Sequence, residues 1–360
     1  EPMKKTAETA SVPPPTLLTS RILAWYHDHG RQRLPWRIQI TPYRVWIAEI
    51  MLQQTQVATA TGYFERFLVA FPALEHLAAA PLDQVLHRWS GLGYYARARN
   101  LHRTARLLVE QHQGCFPTTV EQLAALPGIG RSTAGAILSI ALGVRAPILD
   151  GNVKRLLSRL QGVEGWSGER SVEQRLWQLA EAHTPATAFS DYTQAVMDLG
   201  ALVCTRARPH CDACPVAQQC VARQQGRTAE LPTPRPRRSV PVRELTWLLL
   251  RNASQSLLLE QRPATGVWGG LWAFPESVID VDIDHEVQAR WGFSVMAVTP
   301  LPHFDHLFTH LRLRVRPQLI DVALADDALL HQGVRWCNIQ QPCRVGLAAP
   351  VTRLLRQLQP

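Results

Sequence analysis

The stretch Leu126-Pro-Gly-Ile-Gly130, continuing as Arg131-Ser-Thr-Ala-Gly-Ala136, decides how this chain is read. It lies between two apolar helical runs. Pro127 ends the first, because a proline lacks the N–H a helix needs and disfavours helix in the residue before it. Gly128 and Gly130 permit a tight turn with uncovered backbone N–H groups. The next helix starts at once and turns its positive end toward that turn. Such a helix–hairpin–helix suits a phosphate oxygen and needs no base identity. A Gly-x-Gly turn alone is equally a plain connection between helices, so what lies downstream has to separate the two readings.

Downstream, ALVCTRARPHCDACPVAQQC places Cys204, Cys211, Cys214 and Cys220 as C-x6-C-x2-C-x5-C. Four thiolates this close in sequence reach one metal centre. They suit zinc or an iron–sulfur cluster, and ligand type alone does not choose. Ordinary buried cysteines or two disulfides are the alternative, but a four-cysteine stretch at metal-ligand spacing is uncommon by chance. Arg206 and Arg208 make the loop basic. Cys115, Cys337 and Cys343 stand apart, and each is read as a small buried hydrophobe.

The formal net charge of +9 is unevenly placed. From Thr246 onward ten Arg face ten Asp and Glu, so the whole excess lies in residues 1–245. That half suits a polyanion, although a merely solvated basic surface gives the same count. With 46% hydrophobic and 19% charged residues in 360, the chain reads as globular, with two or three domains. No run of about 18 apolar residues is present to span a membrane. Glu1–Thr16 is polar and Pro-rich, lacks the apolar core of a signal peptide, and reads as a disordered tail with Met3 as the natural start. A reducing compartment is therefore expected, where cysteines bind metal rather than pair.

Apolar residues recur at helical spacing in Ile47–Val57, Leu101–Val109, Ala134–Leu142 and Val172–Leu179, without alternating strands between them. Arg223–Arg243 holds four prolines and six arginines and reads as a linker. Beyond it, Leu245–Leu250, Ser256–Gln261, Leu311–Val315 and Leu319–Val322 read as strands. Turns fall at Gly266 and Gly269–Gly270, and Val351–Leu358 reads as a closing helix.

LPGIG with RSTAGA, then PILDGNVKR at Pro147–Arg155, then the cysteine loop, resemble the helix–hairpin–helix DNA glycosylase superfamily. WIAEIMLQQTQV (Trp46–Val57) and GLGYYARARN (Gly91–Asn100) bring the likeness closest to its adenine DNA glycosylase (MutY) family, over nearly the whole chain beyond the tail. The resemblance implies a multidomain fold. An all-α helix–hairpin–helix glycosylase core with an iron–sulfur cluster loop is expected over residues 17–222, a linker over 223–243, and an α+β Nudix-like domain over 244–360. It implies that the four cysteines hold a [4Fe–4S] cluster. It further implies a bacterial enzyme, cytoplasmic and nucleoid-associated, that acts as a monomer on double-stranded DNA containing A opposite 8-oxoguanine or G.

Breaking an N-glycosidic bond builds positive charge on the sugar and negative charge on the departing base. A site therefore needs an acid for the base and a carboxylate facing the sugar. Glu49 lies in an apolar helix between Ile47 and Ile50, where desolvation raises its pKa and keeps a proton on it near neutrality. A buried structural acid is the plainer reading. Asp150 follows Pro147-Ile-Leu149 and precedes the helix Val153–Leu160, so from the residues alone it is as readily an N-cap. The resemblance assigns Asp150 to the oxocarbenium ion and Glu49 to protonating adenine and activating water. It gives Asn152 the orientation of the reaction centre. Gln53 and Gln54 become candidates to enter the gap left by a flipped base, and Tyr94 to wedge beside the opposing base. Ser132 stands where bifunctional relatives resembling endonuclease III carry a Schiff-base lysine; serine cannot form that adduct, so the strand should stay uncut.

RPATGVWGGLWAFPE (Arg262–Glu276) resembles the start of a MutT/Nudix fold. Ser277–Gly292 nevertheless offers only Glu286, without the Arg-Glu-x-x-Glu-Glu run that holds Mg2+. The resemblance assigns this domain to reading 8-oxoguanine. The reading segment is Phe308-Thr309-His310, where the family has Phe-Ser-His, and His306 is a further candidate. A hairpin with incidental polar residues is the plainer reading. The rivals for the whole chain are a bifunctional pyrimidine glycosylase/lyase, a non-catalytic DNA-damage binding protein and a zinc-stapled DNA-binding module.

Overall fold

A computed structural model describes residues 15–236, 239–324, 333–341 and 343–359; most of the expected N-terminal tail lies outside them. The helices are α1 (Pro15–His29), α2 (Pro35–Ile38), α3 (Pro42–Leu52), α4 (Val57–Ala70), α5 (Leu74–Ala79), α6 (Leu82–Trp89), α7 (Ala96–His112), α8 (Val120–Ala124), α9 (Arg131–Ala136), α10 (Gly151–Gln161), α11 (Arg170–His183), α12 (Phe189–Leu202), α13 (Val221–Gln224), α14 (Ile283–Trp291) and α15 (Ala349–Gln357). The strands are β1 (Val242–Arg251), β2 (Ser256–Gln261), β3 (Trp272–Ala273), β4 (Glu276–Ser277), β5 (Ser294–Pro300), β6 (Phe304–Leu307), β7 (Arg312–Ala323) and β8 (Val334–Asn338). The chain divides into two compact units, one from Glu1–Glu65 with Thr104–Arg237 and one from Arg66–Arg103 with Arg238–Pro360.

The first unit is helical among its described residues. Its core gathers Leu18 and Ile22 of α1, Leu156 and Leu160 of α10, Leu176 of α11 and Leu199 of α12. Burying each such side chain is worth about 1.5–3 kcal/mol. The run expected to be helical over Ile47–Val57 is broken: α3 stops at Leu52 and α4 restarts at Val57. Gln54 lies in this break at φ +57, a left-handed conformation no helix contains. Two close approaches fix the segment Pro147–Asn152. A Cβ on Gly135 of α9 would lie 2.2 Å from the Pro147 carbonyl oxygen, and one on Gly200 of α12 would lie 2.7 Å from Asn152 Cβ. Only glycine lets both helices press this close.

The segment expected to be a linker from Arg223 starts inside α13 and then stays on the helical unit. Leu231 is buried, Arg159 Nε donates to its carbonyl at 2.8 Å, and Thr233 forms a bridge with Trp166. An apolar Leu in an otherwise polar run is what anchors it.

The second unit holds a mixed sheet in the order β3-β2-β1-β7-β5, with β4, β6 and β8 pairing to β1, β7 and β2. The central β1 and β7 run parallel from Val242↔Arg312 to Arg251↔Asp321. The two strands expected at Leu311–Val315 and Leu319–Val322 are one strand, because Pro317 stays in register opposite Trp247. Its carbonyl accepts from Leu301 N at 3.0 Å. Val287 of α14 and Phe293 pack on Leu248, Leu250, Leu258 and Ile320. α6 and the start of α7 belong to this unit. Tyr95 Oη donates to the Leu347 carbonyl at 3.2 Å, and Arg99 donates to the Gly269 carbonyl.

The isolated cysteines differ from the expectation. Cys115 is exposed, and Cys337 and Cys343 form a disulfide that ties β8 to the segment leading into α15. Their six-residue separation carries no signal that a sequence alone would flag.

Candidate active site

α3 begins at Pro42 after Thr41, whose side chain accepts from Arg44 N, and buries Val45, Trp46, Ile47, Ile50 and Met51. The face left over carries Glu49 to the wall of a cleft of about 660 Å3 in the helical unit. Asp150, Asn152, Ser132, Gln53 and Gln54 line the same cleft. Among the sequence-derived candidates, the structure thus gathers both acids, Asn152, Ser132 and the glutamine pair in one place.

Both readings of Asp150 hold at once. Its side chain caps α10, accepting from Val153 N at 2.8 Å, and it also faces the cleft. Burial pushes the Asp150 carboxyl up, while bonds from the Val153 and Asn152 amides, the Arg155 charge and the Asn152 side chain pull it down. Glu49 is pushed up to about 7, first by burial and then by the negative charge of Asp150, with Arg37 opposing. The donors around Asp150 favour its ionised form, and the Asp150 charge in turn holds the proton on Glu49. Burial thus raises both carboxyls; donors oppose the rise at Asp150, while at Glu49 the neighbouring charge adds to it, so the two sites differ in what surrounds the carboxyl.

Asn152 is held between partners. Its Oδ1 accepts from Arg155 Nη2 at 2.8 Å; Arg155 also donates to the carbonyls of Gly200 (2.6 Å) and Cys204 (2.7 Å). Ser132 Oγ accepts from Leu149 N at 2.9 Å, which pins the residue before Asp150.

The sequence reading missed the cleft's cationic side. Arg31 and Arg37 line it, and both grip the fully buried Asp198 of α12. Arg31 bonds at 2.6 and 2.9 Å and Arg37 at 2.7 and 3.0 Å. These donors hold the Asp198 carboxyl below its ordinary range despite burial. Asp198 interrupts the apolar stretch Ala195–Leu202 of α12 much as Glu49 interrupts α3, so the same local signal is present in the sequence.

In the hairpin, the turn between α8 and α9 exposes Gly128 and Gly130, with Gly130 capping α9. The Leu126 side chain is buried together with that of Ile129 and anchors the turn, while Gly128 and Gly130 are exposed. Thr104 Oγ1 secures the turn by donating to the Pro127 carbonyl at 2.8 Å.

Cys204, Cys211, Cys214 and Cys220 all line one small apolar space with Leu156, Leu160, Val203 and Val216. Burial pushes the Cys214 thiol up to about 11 and lifts Cys220. Arg159 Nη1 lies 3.4 Å from Cys204 Sγ. Among the described residues no three such groups gather around a single point as ligands of one ion would.

In the second unit, Phe308 N donates to the Leu311 carbonyl at 2.7 Å, closing a tight turn between β6 and β7 with Thr309 and His310 exposed at its tip. The Trp268 ring lies 5.4 Å from that of His306, tilted, and 5.5 Å from that of Phe308, edge-on. Glu286 of α14 is not free for a metal: Arg290 bonds it at 3.2 Å and both oxygens of Glu260 at 2.9 Å.

The model of the HhH-GPD superfamily of base excision DNA repair proteins matches residues 47–182, and that of the NUDIX domain matches residues 246–357. The adenine DNA glycosylase of Buchnera aphidicola subsp. Baizongia pistaciae is 36% identical over 338 residues, covering 94% of this chain and 95% of that protein. The adenine DNA glycosylase of Mus musculus is 33% identical over 404 residues, covering 96% of this chain and 78% of its own length. The structure of a thermostable thymine-DNA glycosylase superposes with a TM-score of 0.52 at 26% identity, over 59% of this chain and 97% of that one.

Proposed function

The chain belongs to the adenine DNA glycosylases of the HhH-GPD superfamily, DNA N-glycosylases of base excision repair, and on that premise we propose that it excises adenine paired with 8-oxoguanine, or less readily with guanine, and leaves the strand uncut. The observation that carries this reading is the pairing in one cleft of Glu49, pushed up to about 7, with Asp150, whose carboxyl is met by the Val153 and Asn152 donors. The neutral Glu49 carboxyl donates its proton to a ring nitrogen of the flipped adenine as the glycosidic bond breaks, so the base departs neutral. The Asp150 carboxylate stabilises the positive charge left on the sugar. Glu49, now ionised, accepts a proton from the water that attacks C1′, which restores the acid. Asn152, fixed by Arg155, holds Asp150 in place. Ser132 takes no part in bonding to the sugar; its hydroxyl secures Leu149.

Around this centre, Gly128 and Gly130 would cradle a phosphate, Gln53 and Gln54 would enter the duplex, and Tyr94 would stand beside the opposing base. Gln54, exposed in a left-handed conformation, is the kind of strained residue that clusters at functional sites. Phe308, Thr309 and His310 would read the oxidised base from the Nudix-like unit. The protein would act as a monomer, in the bacterial nucleoid.

The cysteine loop fits a [4Fe–4S] cluster held by Cys204, Cys211, Cys214 and Cys220. Four cysteines lining one apolar space, beside an arginine, suit the thiolate ligation of such a cluster. Such a centre, when bound, staples the loop that presents Arg206 and Arg208 and supplies no hydrolytic step. Iron and acid-labile sulfide should be found in equal amounts; zinc in their place would overturn the assignment.

The function is tested by chromatography of the bases released from one set of duplexes, carrying either A opposite 8-oxoguanine or an oxidised pyrimidine. Free adenine should appear from the first alone, with the strand intact until alkali treatment. Release of the pyrimidine, or strand cleavage as fast as base release, would support the bifunctional rival instead.

A further inference from the structure

Tyr94 stands in the turn that joins α6 to α7, with its ring half exposed (49%) and its backbone at φ +48. A bulky residue keeps that conformation only if its surroundings impose it. The neighbouring groups show what does. The Arg97 guanidinium reaches back beneath the turn, and its Nη2 donates to the carbonyls of Leu92 at 3.2 Å and Gly93 at 3.0 Å. Its plane lies 5.2 Å from the Trp89 ring centroid and 5.7 Å from that of Tyr94. Trp89 Nε1 adds a bond to the Gly93 carbonyl at 3.2 Å, and the Arg97 amide donates to the Tyr94 carbonyl at 2.9 Å. Arg97 itself is 9% exposed.

From this geometry we propose that Arg97 is a positioning residue for base excision: its guanidinium holds the strained turn so that the Tyr94 ring is pre-set to enter the duplex beside the base opposite adenine. The inference rests on the reading of Tyr94 as that wedge. Both carbonyls accept from the same nitrogen, so the flat guanidinium matters because it meets them while lying against the Trp89 and Tyr94 rings. A lysine supplies the charge but not the plane, and a methionine supplies the stem but no donor. A ring that must find its conformation on each encounter lowers the fraction of bound complexes ready to react, and a small misplacement of this kind costs rate rather than affinity.

The test uses the full chain and single-turnover adenine release from an A:8-oxoguanine duplex, with the dissociation constant for undamaged duplex measured beside it. The variants are Tyr94→Leu, Arg97→Met, Arg97→Lys and the double variant Tyr94→Leu/Arg97→Met. Arg97→Met should slow release roughly ten- to a hundredfold with little change in binding to undamaged DNA. Arg97→Lys should recover only part of the rate. The double variant should be no slower than Tyr94→Leu alone, because both changes remove the same pre-set ring. Multiplied losses in the double variant, or full activity with lysine, overturn the proposal while leaving Tyr94 as the wedge. A wild-type rate for Tyr94→Leu overturns the wedge reading, and the proposal with it. Melting curves accompany each variant: a loss of rate that follows a fall in melting temperature, with additive behaviour in the double variant, makes Arg97 a packing residue only.

Discussion

Asp150→Asn should lower single-turnover adenine release at least about a thousandfold, roughly 4 kcal/mol of transition-state stabilisation, while the protein stays folded and bound to DNA. The separation follows from the two roles Asp150 plays. As a cap of α10 it needs only an oxygen to accept from Val153 N, and an asparagine oxygen serves equally. As the partner of the sugar cation it needs a full negative charge in a desolvated cleft, which the amide lacks. Burial holds the Asp150 carboxyl above its ordinary pKa, so the neutral amide also relieves a cost that grows as pH rises. The melting temperature at neutral pH should be unchanged or higher. A variant that retained more than a tenth of the wild-type rate would show that the carboxylate is only a cap. One that lost activity together with its fold would show that the cap was the essential role.

Glu49→Gln should slow base release by roughly a hundred- to ten-thousandfold, the span typical of a lost general acid. The wild-type rate should fall as pH rises through about 7, where Glu49 gives up its proton; the residual rate of the variant should lack that step. The substitution itself should act on stability in the opposite sense from its effect on rate. The folded pKa of Glu49, about 7, lies above the ordinary value of 4.5. Between those two values an unfolded chain ionises while the folded one does not, so the stability Glu49 allows is complete below pH 4.5 and lost as pH climbs through 7. Glutamine carries no such penalty. The variant should melt level with wild type near pH 4.5 and higher above pH 7. A pH-independent wild-type rate, or equal melting at pH 8, would mean that Glu49 is ionised throughout and cannot be the acid.

Glu49 was picked out by the apolar run it interrupts, a local signal that one sequence displays, whereas Asp150 read as readily as an N-cap and the role proposed for it came from the resemblance. Asp198 displays the same signal as Glu49, but its meaning depends on Arg31 and Arg37, more than 160 residues away, and no periodicity reports a contact at that distance. Within the hairpin motif the sequence does not separate Leu126, whose side chain is buried, from the exposed glycines, because five adjacent residues of one turn carry no periodicity. Helix existence was read better than helix ends: the break at Gln53–Gln56 is a run of four polar residues with apolar helical spacing on either side, and the two sides read as one helix. In the sheet, the two expected strands stop on either side of Pro317, and the parallel pairing to β1 shows that the chain runs straight through. The short β3, β4 and β6 pass unnoticed in sequence, since two to four residues cannot establish an alternation. The turn of Phe308–Leu311 was found by resemblance; its support by Trp268 was not, because that contact spans the sheet edge.

The central claim is that two acids in a helical cleft release adenine while the Nudix-like unit reads the base across from it. Single-turnover adenine release by the full chain, from otherwise identical duplexes with A opposite 8-oxoguanine, guanine or cytosine, tests it most directly. The expected result is fastest release opposite 8-oxoguanine, slower release opposite guanine and negligible release opposite cytosine. Equal rates on all three duplexes, or no adenine released from any, would contradict it.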